Sequence, residues 1–261
     1  MVDATALFDG AARQTAHPEA AARSSVPLSV HVSRDGADYA SFCAGAVFAP
    51  PQSPAWIDAW TREVHPDAVY VGLRRDEVPV LMLALEIVSW RGCRIARLMG
   101  GRHANGNFPA CTNPVQLDGE AFDRIAQAMS AERKDIDLIA LERLAPAFEG
   151  SSTPLWQLRS FASPNPALAV NLAGGFDALL ARTSGKRKRK KYRSQLRKFE
   201  AAGGVRRIEA KTQEETDRLL DAFFAMKTFR FQKAGIRNVF GEAEVQAFFR
   251  RLFAEAMSSP R

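Results

Sequence analysis

Positive charge is concentrated in one part of this 261-residue chain. Residues 182–207 contain twelve of the 36 Lys and Arg residues and a single acid, Glu200. The net charge of this window is therefore +11, whereas the formal charge of the whole chain is +7. Guanidinium and ammonium groups bind phosphate and carboxylate through charge-assisted hydrogen bonds. The window therefore predicts a binding site for an anionic group.

The basic window has two halves. Residues 186–191 are an uninterrupted charge run, whereas the following residues place an apolar stripe, Tyr192, Leu196 and Phe199, at helical spacing before Gly203-Gly204. Glycine commonly ends a helix. We therefore expect an ordered basic helix whose apolar stripe packs on a core. The predicted anion-binding residues are Arg187, Lys190, Lys191, Arg193 and Arg197.

The basic helix admits three interpretations. It can bind one phosphate or carboxylate specifically, it can attract polyanions in general through counterion release, or it can be a solvated face without a ligand. The second interpretation gives an alternative function, a non-enzymatic polyanion or nucleic-acid binding module that uses the helix 186–198. Nucleic acid is possible but not favoured, because the sequence has no RNP motif, zinc-finger spacing or helix-turn-helix signature.

Two other side chains could serve as a catalytic base. His103 lies in the Gly/Asn/Pro-rich loop 100–114, where a neutral imidazole could accept a proton near pH 7 or, like many loop histidines, be idle. Glu86 interrupts an apolar strand pattern, so it either faces the core and needs a partner or is turned to solvent. The loop also contains Asn105 and Asn107, which we expect to contact a substrate.

Cysteine and histidine form no recognisable metal or disulfide pattern. The three cysteines are widely spaced and odd in number, and no HxxxH or HExxH spacing joins the four histidines. We therefore expect no metal and a reducing, cytoplasmic compartment.

No apolar run reaches the length of a membrane span. Residues 1–25 lack the apolar block of a signal peptide and are predicted to be a disordered tail.

The elements that must position these groups alternate between strand and helix patterns, which predicts an α/β fold. In the first half, strands are expected at 26–33, 68–73, 78–87, 93–99 and 136–141, with helices near 54–60 and 121–132. Shorter extended segments are expected at 155–161 and 168–172. In the second half, we expect a short helix at 176–180, the basic helix, a strand at 205–210, and two apolar helices at 212–235 and 242–256.

Three stretches resemble the CelD/BcsL-type branch of the GNAT acyltransferase superfamily. They are residues 48–60 (FAPPQSPAWIDAW), residues 98–101 (LMGG) with the loop that follows, and residues 191–203 (KYRSQLRKFEAAG). This branch is related to the FemAB peptidyltransferases and has two tandem GNAT-like lobes. The resemblance implies a mixed, mostly antiparallel sheet flanked by helices, with an N-terminal lobe at 26–172 and the start of an incomplete second lobe at 173–261.

The resemblance also implies an activity. Members would transfer an acyl group from acetyl-CoA or another acyl-CoA to an amine or hydroxyl of an anionic or sugar-linked acceptor. The acceptor would be a small molecule or a glycan- or nucleotide-linked compound, and the family name links it to cellulose or exopolysaccharide production. In FemAB relatives, the arginine that corresponds to Arg193 is implied to contact a substrate phosphate.

One expected element is missing from the sequence. GNAT enzymes hold the CoA pyrophosphate on a turn of pattern R/Q-x-x-G-x-G/A before a helix, and no such turn follows a strand here. We therefore expect the chain to be truncated at its C-terminus and to lack the acyl-CoA site. The two apolar helices after residue 212 would then have no sheet to pack against, unless the sheet of the first half covers them.

Overall fold

The computed structural model describes residues 28–112, 117, 119–155, 158, 160–164, 170–182 and 185–258. The predicted tail lies outside the described residues, as do residues 156, 157, 159, 168 and 169 of the two short extended segments. The described residues of these two segments form no strand, so they do not bear out the strand expected at 168–172. The fold is α/β, with a mixed and mostly antiparallel sheet flanked by helices, which confirms the predicted fold class. The division into a first lobe and the start of a second lobe stays a prediction.

In the described part of the chain, the main sheet has six strands in the order β1-β2-β3-β4-β6, with β5 beside β3. Every pairing is antiparallel except β4–β6, which is parallel. The strands are β1 (Leu28–Ser33), β2 (Ala68–Arg75), β3 (Val78–Trp90), β4 (Cys93–Leu98), β5 (Ala110–Cys111) and β6 (Leu138–Ala140). A separate ribbon consists of β7 (Ala147–Phe148) and β8 (Ser151–Ser152).

Strand β3 organises the sheet because two different strands share one of its edges. Its later residues 85–90 pair with β4, whereas Leu81 and Met82 pair with β5. Strand β2 occupies the opposite edge. The connection between β4 and β5, residues 99–109, therefore links the two strands that share this edge of β3. This is the Gly/Asn loop that the sequence identified as a candidate substrate loop.

Seven α-helices accompany the strands in the described residues, and two of them begin at a side-chain cap. Their bounds are α1 (Ala37–Cys43), α2 (Pro54–Glu63), α3 (Gly119–Glu132), α4 (Gly175–Arg182), α5 (Gly185–Ala201), α6 (Gln213–Ala234) and α7 (Ala243–Ser258). Ser53 Oγ accepts the backbone N–H of Trp56 at the start of α2. Thr212 Oγ1 accepts that of Glu215 at the start of α6, and Glu215 Oε2 accepts the N–H of Lys211, one residue before the cap.

The sheet has an apolar core on each face. Helix α3 covers one face through Ile125 and Met129, which are buried with residues such as Val71 and Leu83 of the sheet. Helices α1, α2 and α7 contribute to the core on the other face, where Trp60 and Phe248 are buried. Residues from the beginning and the end of the chain thus share one core.

The C-terminal helices are covered in part by the first half of the chain. Helix α7 packs against α2, and its Val245 and Phe248 are 3% and 0% exposed. Helix α6 packs against α7 and buries Leu220 and Phe224. The first half of the chain therefore covers the inner side of α7, through α2 and the core that α2 shares with the sheet. The outer side of α6 is open.

The strand predicted at 205–210 is wrong, because this segment has no strand structure. Among the described residues, Val205 and the three residues after it make no backbone hydrogen bond. A strand requires a neighbour to satisfy its N–H and C=O groups. Local sequence favoured the extended conformation at this place, but none of the strands in the described residues pairs with it.

Candidate functional site

The basic helix forms as the sequence predicts. Helix α5 covers residues 185–201 and ends at the two glycines. Gly204 N–H donates to Phe199 O at 2.7 Å, and Gly203 N–H donates to Glu200 O at 3.1 Å, the pattern that closes a helix. Gly203 and Gly204 have φ values of +101° and +90°, which favour glycine. The predicted helix stop is confirmed.

The apolar stripe of α5 does not pack on a core, so this part of the prediction is wrong. Helix α5 has no buried residue, and Tyr192 and Phe199 are 52% and 53% exposed. Its neighbour is α4: the rings of Phe176 and Tyr192 lie 5.6 Å apart, and Arg189 pairs with Asp177 at 3.4 Å. Helices α4 and α5 therefore form a hairpin.

The predicted anion-binding residues share one property. All five are exposed, and within the described chain none of them is paired with a carboxylate. They are Arg187, Lys190, Lys191, Arg193 and Arg197. By contrast, Arg189 on the same helix is partly buried beside an acid. Since Arg193 and Arg197 lie one turn apart, with Lys190 one turn before Arg193, their donors can meet one anion.

Glu86 faces the core, which is one of the two orientations that the sequence left open for it. Its side chain is 0% exposed in the middle of β3. Oε1 accepts from Arg97 Nε at 2.9 Å, and Oε2 accepts from Trp60 Nε1 at 2.8 Å. Both carboxylate oxygens therefore have a donor. This buried group is satisfied by the protein itself, as a buried charge must be.

His103 connects the Gly/Asn loop to the C-terminal helices. Its ring lies 5.1 Å from that of Phe240, 5.4 Å from that of Phe249 and 6.0 Å from that of Trp60. Burial lowers the pKa of His103, while a hydrogen bond to the backbone of Val239 opposes this effect. The imidazole is therefore neutral near pH 7. The sequence identified His103 but not its aromatic partners, which are far away in the chain.

The two loop asparagines have different surroundings. Asn107 is 3% exposed, donates to the carbonyl of Glu142 and accepts from Gln52 Nε2, both at 2.8 Å. Its amide is therefore used inside the protein, and we expect Asn107 to hold the loop rather than to contact a substrate. Asn105 is exposed and stays a candidate for substrate contact.

The loop conformation depends on glycine beside Trp56. Gly100 has φ +104°, and a Cβ at this position would come within 2.9 Å of Trp56 Nε1. Gly101 follows with φ +48°, and its carbonyl accepts a hydrogen bond from Arg143. The glycines therefore let the backbone pass close to the aromatic residues, which fixes His103 over the same cluster.

The structure does not bring the predicted site residues into one place. In the portions that the structure describes, no hydrogen bond, ion pair or ring contact joins α5 to Glu86, His103 or Asn105. The candidate site thus has two parts, an exposed cationic helix and an aromatic cluster around the loop.

Across the described residues, no three His, Cys, Asp or Glu side chains come together to hold a metal ion. None of the described helices combines the length and apolar character needed to cross a bilayer.

One segment of the chain matches a known family model. Residues 186–259, which begin at the first lysine of α5 and include the whole of α7, match the family model for the acetyltransferase (GNAT) domain. The search of curated proteins found no match. A solved structure, ribosomal-protein-alanine N-acetyltransferase from Brucella melitensis biovar Abortus 2308, is 16% identical to the chain with a TM-score of 0.34. It covers 56% of this chain and 99% of its own length. The chain thus contains a segment similar to GNAT acetyltransferase domains.

Proposed function

We propose that the chain acts in GNAT-type transfer of an acyl group from acetyl-CoA or another acyl-CoA to an amine or hydroxyl of an anionic or sugar-linked acceptor. The observation that carries this proposal is the GNAT domain match over residues 186–259. A link to cellulose or exopolysaccharide production belongs to the same proposal. Acyl-CoA supplies an acyl group activated as a thioester, and the protein needs no covalent nucleophile, because positioning and deprotonation of the acceptor are sufficient.

In this proposal, α5 binds the anionic part of the acceptor. Arg193 and Arg197 present guanidinium donors on one face, and Lys190 adds a point charge one turn away. Because these groups are exposed and unpaired in the described chain, a phosphate or carboxylate does not have to displace a competing acid. The phosphates of an acyl-CoA have the same chemistry, so the cations fit either ligand.

Of the two candidate bases, His103 suits proton acceptance better than Glu86. Both oxygens of Glu86 already accept hydrogen bonds, and the side chain is sealed from solvent. His103 is only partly buried, and its lowered pKa keeps the imidazole in the neutral form that can accept a proton. Asn105, exposed on the same loop, could contact the acceptor.

The proposal is tested by measuring acetyl transfer from acetyl-CoA to amine and sugar acceptors that carry a phosphate or carboxylate. We expect transfer to fall about a hundredfold or more in Arg193→Ala/Arg197→Ala, since each of the two lost charge-assisted hydrogen bonds contributes about 1.5–3 kcal/mol. The matched control is Arg206→Ala/Arg207→Ala, which removes the same charge outside α5. Equal losses in both variants would show that only net charge matters. Saturable acceptor binding without transfer would restrict the chain to the acceptor-binding role.

A second candidate function is polyanion or nucleic-acid binding by α5. It is favoured by one observation, namely that all five predicted cations are exposed on a helix with no buried residue. In this case, the logarithm of the binding constant for duplex DNA or RNA should fall linearly with the logarithm of the salt concentration, with a slope of about −0.9 per phosphate contact. Steep duplex binding together with no binding of acetyl-CoA or acceptor would favour this candidate over acyl transfer.

A further inference from the structure

The α4–α5 hairpin exposes an apolar surface that neither proposed function uses. The apolar stripe of α5 lies on one side of the helix, because its residues are four and then three positions apart. Tyr192 and Phe199 are more than half exposed, and Phe176 of α4, which contacts Tyr192, is 56% exposed. Four apolar side chains, including Leu196, thus form a surface that runs along the hairpin.

Lysine residues border this apolar surface. At about 100° per residue, Lys188 lies about 40° from Tyr192 around the helix axis, and Lys191 and Lys198 lie about 100° and 120° away on the same side. Arg193 lies about 100° away on the other side. Long Lys and Arg side chains can extend their charged ends past an apolar surface while their stems remain in contact with it. The stripe therefore has cationic groups on both sides.

We propose that the α4–α5 hairpin binds the surface of an anionic lipid bilayer. A helix with a strongly basic polar face and a narrow face of aromatic and aliphatic residues has the composition of an interfacial helix. The apolar stripe would enter the boundary between headgroups and acyl chains, and the bordering lysines would meet lipid phosphates. The hairpin lies on the membrane and does not cross it.

Charge complementarity selects this partner. Helix α5 contains nine Lys and Arg residues and one acid, so a second copy of the chain would be repelled, whereas an anionic surface is attracted. Nucleic acid would satisfy the charges alone and would leave the exposed stripe in water. An anionic bilayer accepts both features. This inference goes beyond acyl transfer and does not depend on it. Arg187, Lys190 and Arg197 lie on the side of the helix opposite the stripe, and Arg193 lies between that side and the stripe.

The test measures co-sedimentation of the chain with phosphatidylcholine vesicles, with and without phosphatidylglycerol. Tyr192→Ser/Phe199→Ser removes the stripe and keeps every charge. Its matched control is Met226→Ser/Phe229→Ser on α6, where the replaced side chains are 64% and 68% exposed. We expect binding only to the anionic vesicles, weakened by added salt, and reduced tenfold or more in the stripe variant but not in the control.

Duplex DNA binding is measured for the same proteins. The proposal requires that the stripe variant keep the DNA affinity of the parent, and circular dichroism checks that its helix content is retained. The proposal is overturned if the stripe variant binds anionic vesicles as well as the parent does, because the basic face alone would then explain the affinity. It is also overturned if the control loses as much binding as the stripe variant, or if phosphatidylglycerol makes no difference.

Discussion

The indole N–H of Trp60 donates a 2.8 Å hydrogen bond to Oε2 of Glu86, a carboxylate with no exposed surface. The bond joins α2 to the middle of β3. Arg97 on the neighbouring strand donates to the other oxygen at 2.9 Å. The ring of Trp60 in turn lies 5.0 Å from Phe248 of α7. One buried acid therefore orients the aromatic surface on which the C-terminal helices pack.

Replacement of Glu86 by alanine should destabilise the fold strongly. The substitution leaves the Trp60 N–H and the Arg97 guanidinium without their acceptor, and breaking such a buried pair costs about 3–5 kcal/mol. The free energy of unfolding, measured with urea, should fall by this amount. Glu132→Ala, at an exposed position of α3, is the control and should change stability by less than about 0.5 kcal/mol. Similar small losses in both variants would contradict the structural role of Glu86.

The contact of α7 with the first half of the chain depends on Phe248. Its ring is fully buried at 4.9 Å from Trp56 and 5.0 Å from Trp60. Phe248→Ala should cost about 3–5 kcal/mol and should increase hydrogen exchange in α6 and α7. Phe253→Ala on the same helix, where the side chain is 45% exposed, should cost much less. Equal effects of the two substitutions would mean that α7 is not docked as described.

His103 should make stability depend on pH. Because burial lowers its pKa below the ordinary value of 6.5, the unfolded chain takes up the proton more readily than the folded chain does. The contribution of the neutral His103 to the free energy of unfolding is therefore present above pH 6.5. It is lost as the pH falls from 6.5 toward the lower pKa that His103 has in the folded protein. His103→Phe keeps an aromatic ring but cannot titrate. Urea unfolding at several pH values should show a weaker pH dependence in this variant, and an unchanged profile would contradict the assignment.

The three cysteines should react at very different rates. Burial raises the pKa of Cys43 and of Cys111 to about 11, and both side chains are shielded, whereas Cys93 is exposed. Since the thiolate is the reactive form, a thiol reagent should modify one residue quickly in the native protein and all three after denaturation. Rapid native modification at two or three sites would contradict the packing on the two faces of the sheet.

Local signals in the sequence were enough to predict much of the fold. Ser53-Pro54 and Thr212 are local signals of helix starts, and apolar strand-length segments predicted β2, β3 and β4. These signals act within a few residues, so they do not depend on the rest of the chain. The Gly203-Gly204 stop of α5 belongs to the same class, because it uses only hydrogen bonds to the preceding turn.

The failures concern distant partners. A strand was expected at 205–210, but strand formation requires a neighbour that the local sequence cannot reveal. The apolar stripe of α5 was also expected to be covered, and here too the local sequence could not reveal whether a neighbouring element is present. The sequence also singled out Glu86 and His103 without their partners, although Trp60 is 26 positions from Glu86 along the chain and Phe240 lies far from His103. An acid within an apolar strand signals that a buried donor exists, but it does not identify the donor.

The central claim is that the unpaired cations of α5 bind the anionic group of an acceptor. It is tested most directly by titration of the chain with a nucleotide sugar at low and moderate salt, with Arg193→Ala and Arg206→Ala in parallel. The account predicts saturable binding of one ligand per chain that is weakened tenfold or more by Arg193→Ala and is nearly unchanged by Arg206→Ala. Absence of saturable binding, or equal weakening by both substitutions, would contradict it.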